Sequence, residues 1–387
     1  MLCQLCQKRP ATFHITEIHA SGERVERHLC EPCQTGQEED LLKHLIDIEN
    51  FGQLREYLLR VGRIPPHETA IFTRLAGGVS NRTVRVDGAD QSFVIKQALP
   101  KLRVETEWLS DPRRIEQEAR GLIWLQRLAP PGTITSLLFQ DPEQHLLAMA
   151  AVPQPHENWK TALLAGRIDE NLVRQFGALL GRIHQRSADD RAQLATVFDD
   201  REFFRSLRLD PYYRFAASRN PGAADFFERL IAETWATRTC LVHGDYSPKN
   251  VLVFRDRLVL LDHEVIHFGD PTFDIGFSLT HFLSKAHHLP DFRNQFLEAA
   301  GIYWRSYLLS AGPVASGQGF EERAVRQTLG CLLARIDGRS PLEYLTPAER
   351  ECQRRIVLDL IQRPPKKIPE LIQTFGQKLG TYQSLHK

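Results

Sequence analysis

Nowhere in the 387 residues does an apolar run reach the ~18 residues that a bilayer-spanning helix needs. No charge of one sign dominates either. Lys and Arg number 49 against 48 Asp and Glu, which argues against nucleic acid and anionic membrane as partners. The opening Met1-Leu2-Cys3-Gln4 lacks the basic segment and apolar core of a secretory signal. A cytoplasmic location, where thiols stay reduced, is therefore expected. Internal repeats and low-complexity tracts are also missing. What remains is a globular composition, 42% hydrophobic, with a length that suggests about two to three domains.

Cysteine is sparse, yet four of the seven form two pairs, Cys3-x-x-Cys6 and Cys30-x-x-Cys33. Between them, Ala11–Ile18 alternates as a strand, Ser21-Gly22 turns, and Glu23–Leu29 returns. Such a hairpin would bring the pairs together. Thirty-odd residues bury too little apolar surface to fold unaided, and four thiolates suit a tetrahedral, structural Zn²⁺. The competing reading is a redox pair or unpaired thiols. Cys240, Cys331 and Cys352 stand singly and read as small buried hydrophobes.

Beyond the polar linker Gln34–Asp40, an amphipathic helical pattern runs from Leu41 to about Arg60. Strand signals follow at Thr69–Ala76, Val79–Val86 and Ser92–Ala98. A helix is expected from Asp111-Pro112 to about Leu128, then strands near Ile134–Phe139 and His145–Ala151. After Val152-Pro153 the chain turns helical, most clearly over Asn171–Arg186 and again over 199–238, 272–310, 320–362 and 366–380. Gly312–Gly319 reads as a loop. The expected divisions are 1–34, 35–64 (linker and helix), 65–152 and 153–387.

The most informative stretch is His243-Gly244-Asp245-Tyr246-Ser247-Pro248-Lys249-Asn250, followed by an apolar run ending in Leu261-Asp262. Phosphoryl transfer from ATP needs one carboxylate near the acceptor hydroxyl and oxygen ligands for Mg²⁺. Asp245 is the candidate base. Asn250 and Asp262 are candidate Mg²⁺ ligands, and Glu264 would share a face with Asp262 on an extended segment and add a third. His243 reads as a residue that holds the loop. Asp270 and Asp274, in Gly269-Asp270-Pro271-Thr272-Phe273-Asp274, read as structural carboxylates: one caps a helix, the other accepts backbone bonds from the loop.

Lys96, ending Phe93-Val94-Ile95-Lys96, is placed to reach ATP phosphates. It needs a carboxylate partner. Glu118 is the candidate, with Glu116 and Glu105 competing. Gly77-Gly78-Val79-Ser80-Asn81 fits a phosphate-covering turn in which glycine lets the backbone approach and Ser80 or Asn81 donates. His281, His287 and His288 lack a second ligand pattern and read as ordinary helix histidines.

These motifs resemble the aminoglycoside phosphotransferase and choline kinase family over about residues 65–310. The carriers are His243-Gly244-Asp245, Asn250, Asp262 and Gly269-Asp270-Pro271. The resemblance implies an α+β, bilobal protein-kinase-like fold, with a small β-rich lobe and a larger helical lobe. It implies an enzyme that moves the γ-phosphoryl of ATP, or GTP, to a hydroxyl of a small molecule such as a sugar, amino alcohol or aminoglycoside. Asp245 would then be the base, Asn250 and Asp262 the metal ligands, and Lys96 with Glu118 would meet the phosphates. Gly244 stands where protein kinases carry Arg, which points to small-molecule acceptors. Lys96-Gln97-Ala98-Leu99-Pro100 through Arg103, Asp262-x-Glu264 and Phe273-Asp274-Ile275-Gly276 look like the methylthioribose kinase branch, whose pattern lacks an Asn at the place of Asn250. Residues 1–33 are similar to the cysteine module of the bacterial activator of protein-arginine kinase, which implies zinc binding and a protein contact. The adenine is expected near Met149–Pro153, and acceptor recognition in Asp199–Asn220, with Tyr212, Tyr213 and Arg214 as candidates. The alternative is a catalytically weak, kinase-like binding module acting through its zinc finger.

Overall fold

The computed structural model describes Gln4 and residues 10–18, 24–31, 45–76, 78–103 and 108–385. Cys3, Cys6, Cys33, Gly77 and Glu105 lie outside the described residues. The chain divides into two compact units, Met1–Glu68 and Thr69–Lys387.

In the first unit, β1 (Phe13–Ile18) and β2 (Arg24–Leu29) pair antiparallel with Phe13 opposite Leu29. Leu29 and Cys30 are buried together, and Ile15 packs against them. Helix α1 spans Phe51–Arg60; of the helix expected over Leu41–Arg60, residues 41–44 lie outside the described residues and 45–50 are not helical. The physical reason is its cap: the Asn50 side chain accepts from the Gly52 and Gln53 amides, which satisfies the first turn there and ends the helix upstream.

The second unit opens with a five-stranded antiparallel sheet of order β3-β4-β5-β7-β6. Its strands are β3 (Ile71–Arg74), β4 (Asn81–Asp87), β5 (Ser92–Ala98), β6 (Leu137–Asp141) and β7 (Leu146–Ala150). Alternation explains β4, where Val84 and Val86 are buried between half-buried neighbours. Strand β3 is shorter than expected. Strand β6 begins three residues late, because Ile134 instead bridges to Leu260 in the other lobe. Helix α2 (Arg114–Leu128) crosses between β5 and β6. It starts at Arg114 and not directly after Asp111, whose carboxylate accepts from the Arg113 amide in a preceding turn.

Helices dominate the rest of the chain. Short strand β8 (Glu157–Asn158) leads into α3 (Trp159–Leu164) and α4 (Glu170–Asp189). In α4, Leu172, Phe176, Leu179, Leu180 and Ile183 recur at helical spacing and are buried. Then come α5 (Ala224–Ala236), β9 (Cys240–Val242), β10 (Val251–Phe254), β11 (Arg257–Leu260) and β12 (His267–Gly269). Helices α6 (Pro271–His288), α7 (Arg293–Ala311), α8 (Phe320–Asp337), α9 (Pro347–Gln362) and α10 (Ile368–Leu385) complete the chain. Helix α6 is buried from Pro271 through His287 and is the axis of this lobe. Asp270 caps it by accepting from the Thr272 amide at 3.0 Å, as its sequence context predicts. The expected loop at Gly312–Gly319 contains a 3₁₀ turn over Gly312–Ser316. Cys240, Cys331 and Cys352 are all buried in the helical lobe. No helix among the described residues is long and apolar enough to cross a membrane.

Candidate active site

The loop from His243 to Asn250 leaves β9 and enters β10 through a 3₁₀ turn at Pro248–Asn250. Gly244 has φ +77°, and a Cβ there would lie 2.9 Å from Val265 Cγ2, so the turn excludes a side chain at this point. Asp274, fully buried on α6, braces the loop. Its Oδ2 accepts from the His243 amide at 2.7 Å and its Oδ1 from the Gly244 amide at 2.8 Å. Burial opposes ionisation, but bonds from His184 and the loop amides outweigh it and hold the carboxyl below its ordinary range.

His243 fixes the loop from inside. Its Nδ1 accepts from the Asp245 amide at 3.2 Å, so Nε2 carries the proton and faces His263 Nδ1 at 3.1 Å. Burial depresses both histidines, which keeps the relay neutral.

Asp245 and Asn250 are joined directly. Asn250 Nδ2 donates to Asp245 Oδ2 at 2.7 Å and to its carbonyl at 3.0 Å, which leaves the amide oxygen as a hard donor. The same Asp245 Oδ2 lies 3.0 Å from Arg208, whose Nε also donates to the Gly244 carbonyl at 2.8 Å. Arg208 sits in a π-helical stretch, Arg205–Arg214, that contains Pro211. Proline has no amide to give to the α-helical ladder, and the widened turn accompanies it.

Across the cleft, Lys96 on β5 pairs with Leu147 on β7 and Thr83 on β4. Its Nζ lies 2.7 Å from Glu118 Oε1 and 2.6 Å from Asp262 Oδ1. Glu118 is the partner that the structure selects; Glu116 lies on the same helix but does not reach Lys96. Desolvation drives Glu118 upward despite Lys96, and the neighbouring Asp262 and Glu264 charges push it the same way. Asp262 also meets a burial penalty, but Lys96, Lys249 and Arg208 together draw it below the usual carboxylate range. Carboxylate oxygens of Glu118, Asp262 and Glu264 lie within 4.8 Å of one another.

Glu264 is not on an extended segment with Asp262, whose backbone is left-handed at φ +67°. That kink, not strand alternation, turns both carboxylates inward. Glu264 Oε2 is shared by Arg114 Nε at 3.1 Å and Asn81 Nδ2 at 3.2 Å. Asn81 is thereby committed to Glu264, while Ser80 is buried and gives its carbonyl to Arg114 and Leu99. Gly78 borders this turn.

The cleft between sheet and loop is lined by Val94, Met149, Val152, Leu252 and Leu261, with Thr83, Lys96 and Asp262 on its polar side. Met149 to Val152 thus lie where a flat apolar ligand would fit. Sequence reasoning missed Arg208 and Arg114. Arg114 is fully buried and also donates to the Leu99 and Ser110 carbonyls. Its one visible signal was an arginine one turn before Glu118 on a face otherwise destined for burial. Of the three acceptor candidates, only Tyr212 faces the site, 5.6 Å from the Arg208 guanidinium. Tyr213 donates to Gln327 in the helical core, and Arg214 pairs with Asp210 at the surface. His287 and His288 face Gln353 and Glu349.

A five-stranded sheet over a helical lobe, with a braced loop facing a Lys–Glu pair across a cleft, defines the protein-kinase-like fold. Residues 71–309 match the phosphotransferase enzyme family, and the chain belongs to it. Methylthioribose kinase of Pectobacterium atrosepticum is 24% identical over 272 residues, which cover 61% of this chain; the chain spans 65% of that protein's length. The solved structure of amicoumacin kinase with AMP-PNP, Ca²⁺ and Ami superposes with a TM-score of 0.51 at 12% identity, covering 82% of this chain and 96% of that one. Over a short stretch of 33 residues, 8% of this chain and 17% of the other, the protein-arginine kinase activator protein of Bacillus subtilis is 54% identical.

Proposed function

We propose that the chain transfers the γ-phosphoryl of ATP to a hydroxyl of a small molecule. The observation that carries this reading is the convergence of Lys96, Glu118 and Asp262 opposite the Asp245–Asn250 pair. Asp245 accepts the acceptor's hydroxyl proton as its oxygen bonds to the γ-phosphorus, and the bond to the β,γ-bridging oxygen breaks to release ADP. Lys96, oriented by Glu118, contacts the phosphates, and the adenine lies along Met149–Val152. The Gly78–Asn81 turn covers the phosphates. Asn250 and Asp262, with the second oxygen of Glu264, suit a hard cation. Mg²⁺ held there would neutralise charge on the phosphates. Arg208 aims Asp245 by fixing one carboxylate oxygen. The two lobes of this reading meet at residues 152 and 153.

Mg²⁺-dependent ADP release against a panel of sugars, amino alcohols and aminoglycosides tests the proposal. At least one acceptor is expected to raise turnover well above hydrolysis alone. ATP binding with no acceptor-dependent turnover would instead support a kinase-like binding module.

We also infer that Cys3, Cys6, Cys30 and Cys33 hold a structural zinc ion. Gln4, between the first two, bonds in both directions with His28: its amide reaches the His28 carbonyl at 2.8 Å, and its Oε1 accepts from the His28 amide at 3.0 Å. This supports the approach of the two cysteine pairs, and the buried Cys30 fits a ligand that needs shielding. One zinc per reduced chain is expected by metal analysis, falling to zero when residues 1–33 are deleted; less than one in the intact protein argues against the site.

A further inference from the structure

Helix α6 carries His281 and Lys285 one turn apart, both buried. Lys285 is completely buried. Its Nζ has one long bond, 3.4 Å to the His281 carbonyl, and lies 5.3 Å from the centre of the Tyr344 ring. His281 is 5% exposed and its Nε2 has no partner; the buried Tyr344 hydroxyl and Arg335 Nε have none either. Arg335, 8% exposed, bonds to Tyr212 Oη at 3.2 Å and to Ser340 Oγ at 2.9 Å. Lys160 and Lys249 add their charge to the same neighbourhood. The carboxylate that faces Lys285 is Glu343, and it is already paired with Lys160.

Buried cations ordinarily come with counter-charges, and buried polar atoms with bonds. Here several basic groups and three unbonded polar atoms converge, and the two carboxylates that act on them, Glu343 and Glu349, are already engaged with Lys160 and His288. Unmade bonds beside basic groups of this density suit an anion supplied from outside. The position says which molecule brings it. The Tyr212 ring is shared by Arg335, 5.5 Å from its centre, and Arg208, 5.6 Å from it, and Arg208 contacts Asp245 at 3.0 Å. One aromatic ring and one guanidinium therefore link the cluster to the proposed base, a span suited to a small acceptor.

We propose that Lys285, His281, Arg335 and Tyr344 form a subsite for an anionic group, carboxylate or phosphate, on the acceptor whose hydroxyl meets Asp245. This rests on the phosphotransferase reading and narrows it, from hydroxyl compounds in general to hydroxy acids and phosphorylated hydroxyl compounds. Burial, then Lys160 and Arg335, push Lys285 down to about 7, so binding of an anion at pH 7.5 should draw a proton onto it.

Matched acceptors test the proposal on the full-length protein with Mg²⁺ and ATP: glycerol with glycerate and glycerol 3-phosphate, and ribose with ribonate and ribose 5-phosphate. An anionic member is expected to exceed its neutral parent by about 100-fold in kcat/KM, chiefly through KM. Comparing the acid with the phosphate ester identifies the anion. Lys285→Met should abolish that preference and change the melting temperature without acceptor little, because the buried amine is mainly neutral until an anion binds. Tyr344→Phe, which removes only a hydroxyl, should cost about tenfold with the anionic acceptor. Calorimetry in two buffers of different ionisation enthalpy should show proton uptake with glycerate or glycerol 3-phosphate, lost in Lys285→Met. Neutral acceptors turned over as well as anionic ones, or an anion preference that survives in Lys285→Met, would overturn the subsite and leave the phosphotransferase reading standing. Anion binding that depends on Lys285, with no acceptor phosphorylated, would uphold the subsite and remove that reading.

Discussion

Replacing Asp245 with Asn is expected to lower kcat by about 10²- to 10⁴-fold, the range that a positioned general base contributes. Asn is nearly isosteric but cannot take the acceptor's proton. The loop should survive, since the Asp245 amide is held by His243 and the preceding amides by Asp274. KM for ATP should therefore change little, because Lys96, the proposed phosphate contact, and Asp262, the proposed metal ligand, are left in place. Steady-state kinetics with a melting curve check both halves. Unchanged turnover in the Asn variant would remove Asp245 from the role of base. Arg208 sharpens the expectation: its bond to Asp245 Oδ2 leaves the other carboxylate oxygen to face the acceptor.

Lys96→Met should act on the other substrate. Lys96 stands between Glu118 and Asp262, and removing it leaves two carboxylates within 4.8 Å of each other with their shared cation gone. Truncating one member of a buried, hydrogen-bonded charge pair costs about 2–5 kcal/mol, and each 1.4 kcal/mol is tenfold. The expected loss in kcat/KM for ATP is thus ~30- to 4000-fold. Glu118 is already displaced upward by burial, so in the variant it should take up a proton and spare the fold. Nucleotide binding measured by calorimetry, beside a melting curve, distinguishes this from unfolding. Unaltered ATP affinity and turnover would show that Lys96 does not contact the phosphates.

Much of this site was legible in the chain because its parts are local. The spacing from Asp245 to Asn250 is short enough for one loop to join them, and Asp270 caps the helix it immediately precedes. Helix α4 followed from its apolar period. Other features depend on residues far apart in sequence. Glu118 was the candidate partner from its helical position, but only the packing of α2 against the sheet brings it, and not Glu116, to Lys96. Glu264 was placed beside Asp262 for the wrong reason, since a left-handed residue turns the chain there. Arg208 and Arg114 gave no periodic signal, because a buried arginine is defined by the carbonyls and carboxylates it meets.

By itself, the sequence determined the chemistry at hand: a loop carrying a carboxylate and an amide, a lysine at a strand end, and two cysteine pairs. These are set by residue identity and short spacing, which no packing can alter. Tertiary structure decided which groups act together. It joined Lys96 to Glu118 and Asp262, tied Arg208 to Asp245, and buried Lys285, His281 and Arg335 in one lobe. Electrostatic meaning depends on distance and burial, and both are fixed only when helices and strands remote in sequence pack against one another.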